Sequence, residues 1–119
     1  MRKTKTGWFP LAWIAVPVMA IISVHIVIYS ASRILYGKSL WRRALRYDFQ
    51  GRYAEAEPLL RRALAIMEKQ IGPEHPTVAR GLVDYAALLR ELGREAEAAE
   101  MDARARQIGP APPGRARRR

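Results

Sequence analysis

Two histidines are the residues of this chain best suited to chemistry, because the sequence holds no cysteine and its carboxylates are scattered. Without thiols there are no disulfides, no thiol nucleophile and no cysteine-ligated metal. His75 stands in Gly72-Pro73-Glu74-His75-Pro76 with no second histidine or carboxylate at ligand spacing, so it reads as a loop residue. His25 lies inside a long apolar run, with Tyr29 and Ser32 at i+4 and i+7. On a helix these three form one polar stripe. Such a stripe suits contact with a neighbouring helix, with His25 neutral and hydrogen-bonded to a backbone carbonyl. The same imidazole could relay a proton or ligate the iron of a haem or the magnesium of a chlorophyll from the axial side. No nucleophile–base set, phosphate-cradling glycine loop or metal-ligand cluster is present, and the carboxylates sit at spacings expected of ion pairs with arginine. The composition therefore argues against an enzyme and for a protein without a cofactor.

The stripe must be positioned by a helix in an apolar medium. From Thr6 to Ser32, 27 residues pass without Asp, Glu, Lys or Arg. The core of that window, Leu11–Ala31, has 21 residues; at ~1.5 Å per residue it spans about 30 Å, one hydrocarbon core. Trp8, Phe9 and Trp13 lie at one end and Tyr29 and Tyr36 at the other, where interfacial aromatics belong. Pro17 removes one backbone hydrogen bond, which membrane helices tolerate. The predicted plan is a basic flank over 1–10, a transmembrane helix over 11–32 and a linker over 33–37. A signal peptide is the competing reading: the start is basic and Ser30-Ala31-Ser32 is a possible cleavage site, but the apolar run exceeds a signal core. Arg2, Lys3 and Lys5 on one side face Arg33, Lys38, Arg42, Arg43 and Arg46 on the other. That balance favours a single-pass membrane protein with its C-terminal domain in the cytoplasm. The short string His25-Ile-Val-Ile-Tyr-Ser30 resembles the pigment-binding helix of bacterial antenna polypeptides, which would imply bacteriochlorophyll on His25.

From Lys38 to Ile108, Ala, Leu, Arg and Glu dominate, and Gly and Pro fall between segments. Four helices are predicted, over 36–49, 52–71, 76–92 and 94–107. The segment repeats at a spacing of 42: Gly51-Arg52 returns as Gly93-Arg94, Ala54-Glu55-Ala56 as Ala96-Glu97-Ala98, Ala63 as Ala105, and Leu40 and Ala44 as Leu82 and Ala86. A period of this length marks stacked helical pairs.

The stretch from Gly51 to Ala79, with its Glu55-Ala-Glu-Pro-Leu59 and Gly72-Pro-Glu-His-Pro76 strings, resembles the tetratricopeptide repeat, in the 42-residue form of kinesin light chains and many bacterial proteins. The resemblance covers 38–108, about two repeats. It implies an all-α fold: one transmembrane helix, then two helix-turn-helix repeats forming a fragment of an α-solenoid. Ala56, Ala63, Ala98 and Ala105 then lie where helices cross, and Leu82, Tyr85, Leu89 and Leu92 form a buried stripe. Arg43, Glu95 and Asp102 depart from the family's apolar pattern, so the last helix reads as a polar cap.

The family binds peptides or helices in a concave groove lined by the first helix of each repeat. Carried over, that pattern places Lys38, Trp41, Leu45, Asp48 and Phe49 on the groove from the first repeat, and Arg80, Val83, Ala87, Arg90 and Glu91 from the second. Two repeats are fewer than usually stand alone. An apolar edge on the first helix is therefore expected, to be covered by the membrane surface, by self-association or by a larger complex. The remaining tail, 109–119, is rich in Pro, Gly and Arg and is predicted to be disordered, with Arg115, Arg117, Arg118 and Arg119 as a compact positive end. With a net charge of +10, the chain suits anionic lipid or acidic protein, whereas nucleic acid is not expected because no stacking aromatics accompany the arginines. The expected function is a membrane-anchored adaptor serving as an accessory or assembly subunit of a membrane protein complex. The alternatives are a tetrapyrrole-holding subunit using His25 and a basic module for anionic lipid.

Overall fold

Four helices in a row carry the chain in the computed structural model, which describes residues 9–110: α1 (Phe9–Phe49), α2 (Tyr53–Ile71), α3 (Pro76–Glu91) and α4 (Glu95–Ile108). No strand occurs among the described residues. The chain divides into two units, Met1–Ser32 and Arg33–Arg119.

The described part of the first unit is one apolar helical segment. Every side chain from Leu11 to Tyr29 is exposed, and the stretch is long and apolar enough to cross a membrane. The helix continues through Pro17. It also continues through 33–37, where a linker was expected. Arg33 to Tyr36 contain no breaker, and Gly37 lies against Ile66 and Met67 of α2 instead of ending the helix.

The second unit is the repeat. Its core joins Leu40, Trp41 and Ala44 of α1 to Leu60, Leu64 and Met67 of α2 and to Val78, Leu82, Leu88 and Leu89 of α3. Ala56, Ala63, Ala98 and Ala105 are all buried, as expected of residues at helix crossings. Leu82, Tyr85 and Leu89 are buried and Leu92 is half-buried. α4 buries only Ala98 and Ala105, which fits a polar closing helix.

The period of 42 is visible in the turns. Gly51 (φ 75°) and Gly93 (φ 74°) take a left-handed conformation that a side chain would strain. Around them the backbone bonds match: Arg52 N–H donates to Tyr47 O at 2.9 Å, and Arg94 N–H to Leu89 O at 2.8 Å. Each arginine then reaches forward to a glutamate in the first turn of its helix, Arg52 to Glu55 and Arg94 to Glu97. These glutamates lie near helix N-termini, where negative charge is favoured.

The second loop is capped differently. His75 Nδ1 accepts from Thr77 N–H at 3.2 Å, and Pro76 occupies the first turn. His75 is thus a helix cap.

Candidate protein-interaction site

The residues expected on the groove belong to α1 and α3, which meet beside residue 81. The contact is close because residue 81 is glycine: a Cβ there would lie 2.6 Å from Leu64 Cδ2 and 3.0 Å from Trp41 Cη2. Trp41 is therefore wedged into the core at 8% exposure, and its ring is not offered to a partner. Beside it, Leu45 and Val83 are half-buried against the core, and Ala87 is half-buried on α3. Lys38 and Phe49 project into solvent, Phe49 at 92% exposure. Asp48 and Arg80 are half-buried, and Glu91 is exposed.

Arg90 takes a role the sequence reading did not assign. Its guanidinium bonds to Glu95 Oε1 at 3.2 Å and to Asp102. Glu95 and Asp102 stand one period after Tyr53 and Leu60, and both depart from the family's apolar pattern. The second repeat thus replaces part of an apolar contact with a cation held between two carboxylates, whose hydrogen bonds hold the Arg90 pKa above its ordinary value. Arg90 is engaged within the fold, so it does not stand ready for a partner's carboxylate.

A second polar network ties α2 to α3. Tyr85 O–H donates to Glu57 Oε1 at 3.0 Å, and Arg94 approaches the same oxygen at 3.4 Å. Burial, then the bond to Glu57, raises the Tyr85 phenol above its ordinary range. Glu97 is held below the usual carboxylate range by its hydrogen bond from Arg94. Arg104 donates to Glu68 at 2.8 Å, joining α4 to α2. The family pattern carries no signal for these pairs; only the spacing of opposite charges hints at them.

In α1, His25 Nδ1 lies 2.9 Å from Ile21 O, a contact in which Nδ1 donates and Nε2 takes no part. Ser32 Oγ donates to Tyr29 O at 2.9 Å, and Ser23 and Ser30 likewise donate to carbonyls of their own helix. These serine hydroxyls are satisfied without a neighbour. The contact leaves Nε2 of His25 available for axial ligation. Among the described residues, no three His, Asp or Glu side chains come together in a way that could hold a metal ion. Arg115, Arg117, Arg118 and Arg119 lie outside the described residues.

The exposed part of α1 after Ser32 is mixed: Leu35, Tyr36 and Phe49 keep an apolar component there. The outward face of α1 after Ser32 carries Lys38, Ser39, Arg42, Arg43 and Arg46, all exposed. Leu40 and Ala44 turn inward instead, because α2 and α3 cover that side.

The tetratricopeptide repeat family model matches residues 34–111. No curated protein matches the chain.

Proposed function

The chain belongs to the tetratricopeptide repeat family, and from that premise we propose that it is a single-pass membrane adaptor serving as an accessory or assembly subunit of a membrane protein complex. The repeat is a protein-interaction module and typically a non-catalytic scaffold. The observation that carries the membrane half of the reading is the run from Leu11 to Tyr29. It is apolar and exposed at every side chain, so the fold itself covers none of it. Burying such a surface at ~25 cal/mol per Å² makes a bilayer its natural environment. In this reading 11–32 spans the membrane, the repeats face the cytoplasm, and Lys38, Leu45, Val83 and Ala87 line the partner groove. The stripe His25, Tyr29 and Ser32 then meets a helix of the complex.

The test is purification of the tagged full-length protein in mild detergent, with alkaline extraction of membranes in parallel. The adaptor reading predicts that the protein resists extraction and elutes with membrane subunits in fixed ratio. A protein released by alkali, or one with residues 1–32 removed, would point to a cleaved signal sequence.

A tetrapyrrole-holding role has one supporting observation, the Nε2 of His25 left out of the contact with Ile21 O. A pigment band in the same eluate that His25→Ala abolishes would support it, and a colourless eluate would sink it.

A further inference from the structure

The two repeats differ on one helix face, and the difference describes a missing neighbour. In α3, Val78, Gly81, Tyr85 and Leu88 are all buried. Two of these face α2 directly: Gly81 is the point where Leu64 comes closest, and Tyr85 bonds to Glu57. One period earlier, the same positions on α1 are Tyr36, Ser39, Arg43 and Arg46, and all four are exposed. The complementary positions on the two helices, Gly37, Leu40 and Ala44 on α1 and Ala79, Leu82 and Ala86 on α3, are buried in both. Arg62 of α2 lies over the Tyr36 ring at 5.6 Å, so the side of α3 that receives α2 is left open on α1 from Ser39 to Arg46.

The open face keeps the shape of a helix seat and changes its chemistry. Ser39 stands where Gly81 stands in α3, so the point of closest approach remains small, and its hydroxyl folds back onto Tyr36 O at 2.7 Å. Arg43 stands where Tyr85 takes the carboxylate of Glu57. Arg46 and Arg42 extend the positive charge along the helix. Among the described residues no ion pair engages Arg42, Arg43 or Arg46, whereas Arg52, Arg61, Arg90, Arg94 and Arg104 all pair with carboxylates. No acidic residue precedes Asp48 in the chain.

We propose that this face of α1, centred on Ser39, Arg43 and Arg46, seats an acidic amphipathic helix of a partner protein in the place that α2 takes against α3. The occupant presents an apolar side chain to Ser39 and carboxylates to Arg43 and Arg46. The closing helix of a second copy is the poorer occupant, although Glu100 is exposed on it. The face of that helix in the corresponding register carries Ala99, Ala103 and Arg106, which sets arginine against arginine. The surface is separate from the groove of Leu45, Val83 and Ala87, and it rests on the repeat alone, whether or not 11–32 spans a membrane.

The probe is a labelled synthetic peptide of residues 53–71 with Arg61 and Arg62 replaced by Glu, titrated into full-length protein in detergent at low salt. Its binding is expected to weaken about tenfold or more when Arg43 and Arg46 are both changed to Glu. It should be unchanged for Ala87→Glu in the groove. Because the chain has no cysteine, Ser39→Cys gives a unique label. A peptide with Cys in place of Leu64 should form a disulfide with Ser39→Cys and not with Gln107→Cys on α4. Three results would overturn the proposal: no binding of peptide or vesicles; binding or cross-linking indifferent to these positions; or binding of phosphatidylglycerol vesicles through Arg43 and Arg46 when the peptide does not bind, which would make it a lipid surface. Each of these differs from loss of the adaptor reading, which is read from membrane extraction and co-purification.

Discussion

Replacing Gly81 with Ala should destabilise the repeat, although alanine is the better helix former. The gain in intrinsic propensity is about 1 kcal/mol. Against it stands the new Cβ, which would lie 2.6 Å from Leu64 Cδ2 and 3.0 and 3.3 Å from two carbons of the Trp41 ring. Ordinary carbon contacts lie at about 3.5–4.0 Å. Leu64 could rotate away at an open site, but here the indole closes the other side, so α1, α2 and α3 must all shift. Overpacking of this kind costs roughly 1–3 kcal/mol. The propensity gain is thus cancelled or exceeded, for a net loss of up to about 2 kcal/mol, or up to roughly 10 °C in Tm for a domain of this size. Thermal unfolding of the full-length protein in detergent, followed by near-ultraviolet circular dichroism, measures it. A double-mutant cycle sharpens the test. Leu64→Ala alone should cost about 2–5 kcal/mol through its cavity, but in that background Gly81→Ala should become neutral or favourable. If Gly81→Ala stabilises the native background by the full propensity gain, the three-helix contact at Gly81 is not as described.

Trp41→Ala should cost about 3–5 kcal/mol of stability, as expected of a core aromatic; a change in partner affinity with unaltered Tm would return Trp41 to the groove. Arg90→Met should lower the unfolding midpoint and reduce its salt dependence, because two carboxylates lose a shared cation; a midpoint that ignores both changes would contradict the Glu95–Arg90–Asp102 arrangement. At acid pH, the contribution of Glu97, whose folded pKa is depressed, is present above the ordinary carboxylate range and is lost as pH falls through the folded value, so Glu97→Gln should flatten the acid limb of stability. At alkaline pH the sign reverses for Tyr85. Its raised phenol contributes fully below the ordinary value near 10 and loses that contribution as pH rises through the folded value, an effect that Tyr85→Phe should remove and that ultraviolet titration would detect as one late-ionising tyrosine.

Much of the repeat was legible because its signals are local. Gly51 and Gly93 mark turns through a backbone conformation, and the alanines at 56, 63, 98 and 105 mark crossings through size. The apolar stretch of α1 was legible from the absence of charge alone. The linker over 33–37 was misread because a boundary inferred from hydropathy need not end a helix: Gly37 is buried inside α1. Trp41 was placed on the groove by family pattern, which fixes the register of a side chain but not the depth of its pocket; that depth is set by the glycine at 81, far away in the chain. Arg90 falls on the groove by the carried-over family pattern, and only the fold brings Glu95 and Asp102 to its guanidinium. Repeat number alone points to an apolar edge on α1, and exposed Leu35, Tyr36 and Phe49 supply part of one, but it carries no signal for the arginines beside them. The arginines there answer a different need, solvation of a helix side that no helix of the described repeat covers.

The central claim, that the repeat works as a protein-docking module carried on a membrane helix, is tested most directly by site-specific photo-cross-linking in intact membranes. A photoreactive residue at Ala87 in the groove should give an adduct of discrete mass with a membrane subunit, and one at Gln107 on the polar helix α4 should not. Loss of the Ala87 adduct when residues 11–32 are replaced by a soluble leader would tie docking to the anchor. A chain recovered from membranes without an adduct at Ala87, or found only in the soluble fraction, would contradict the account.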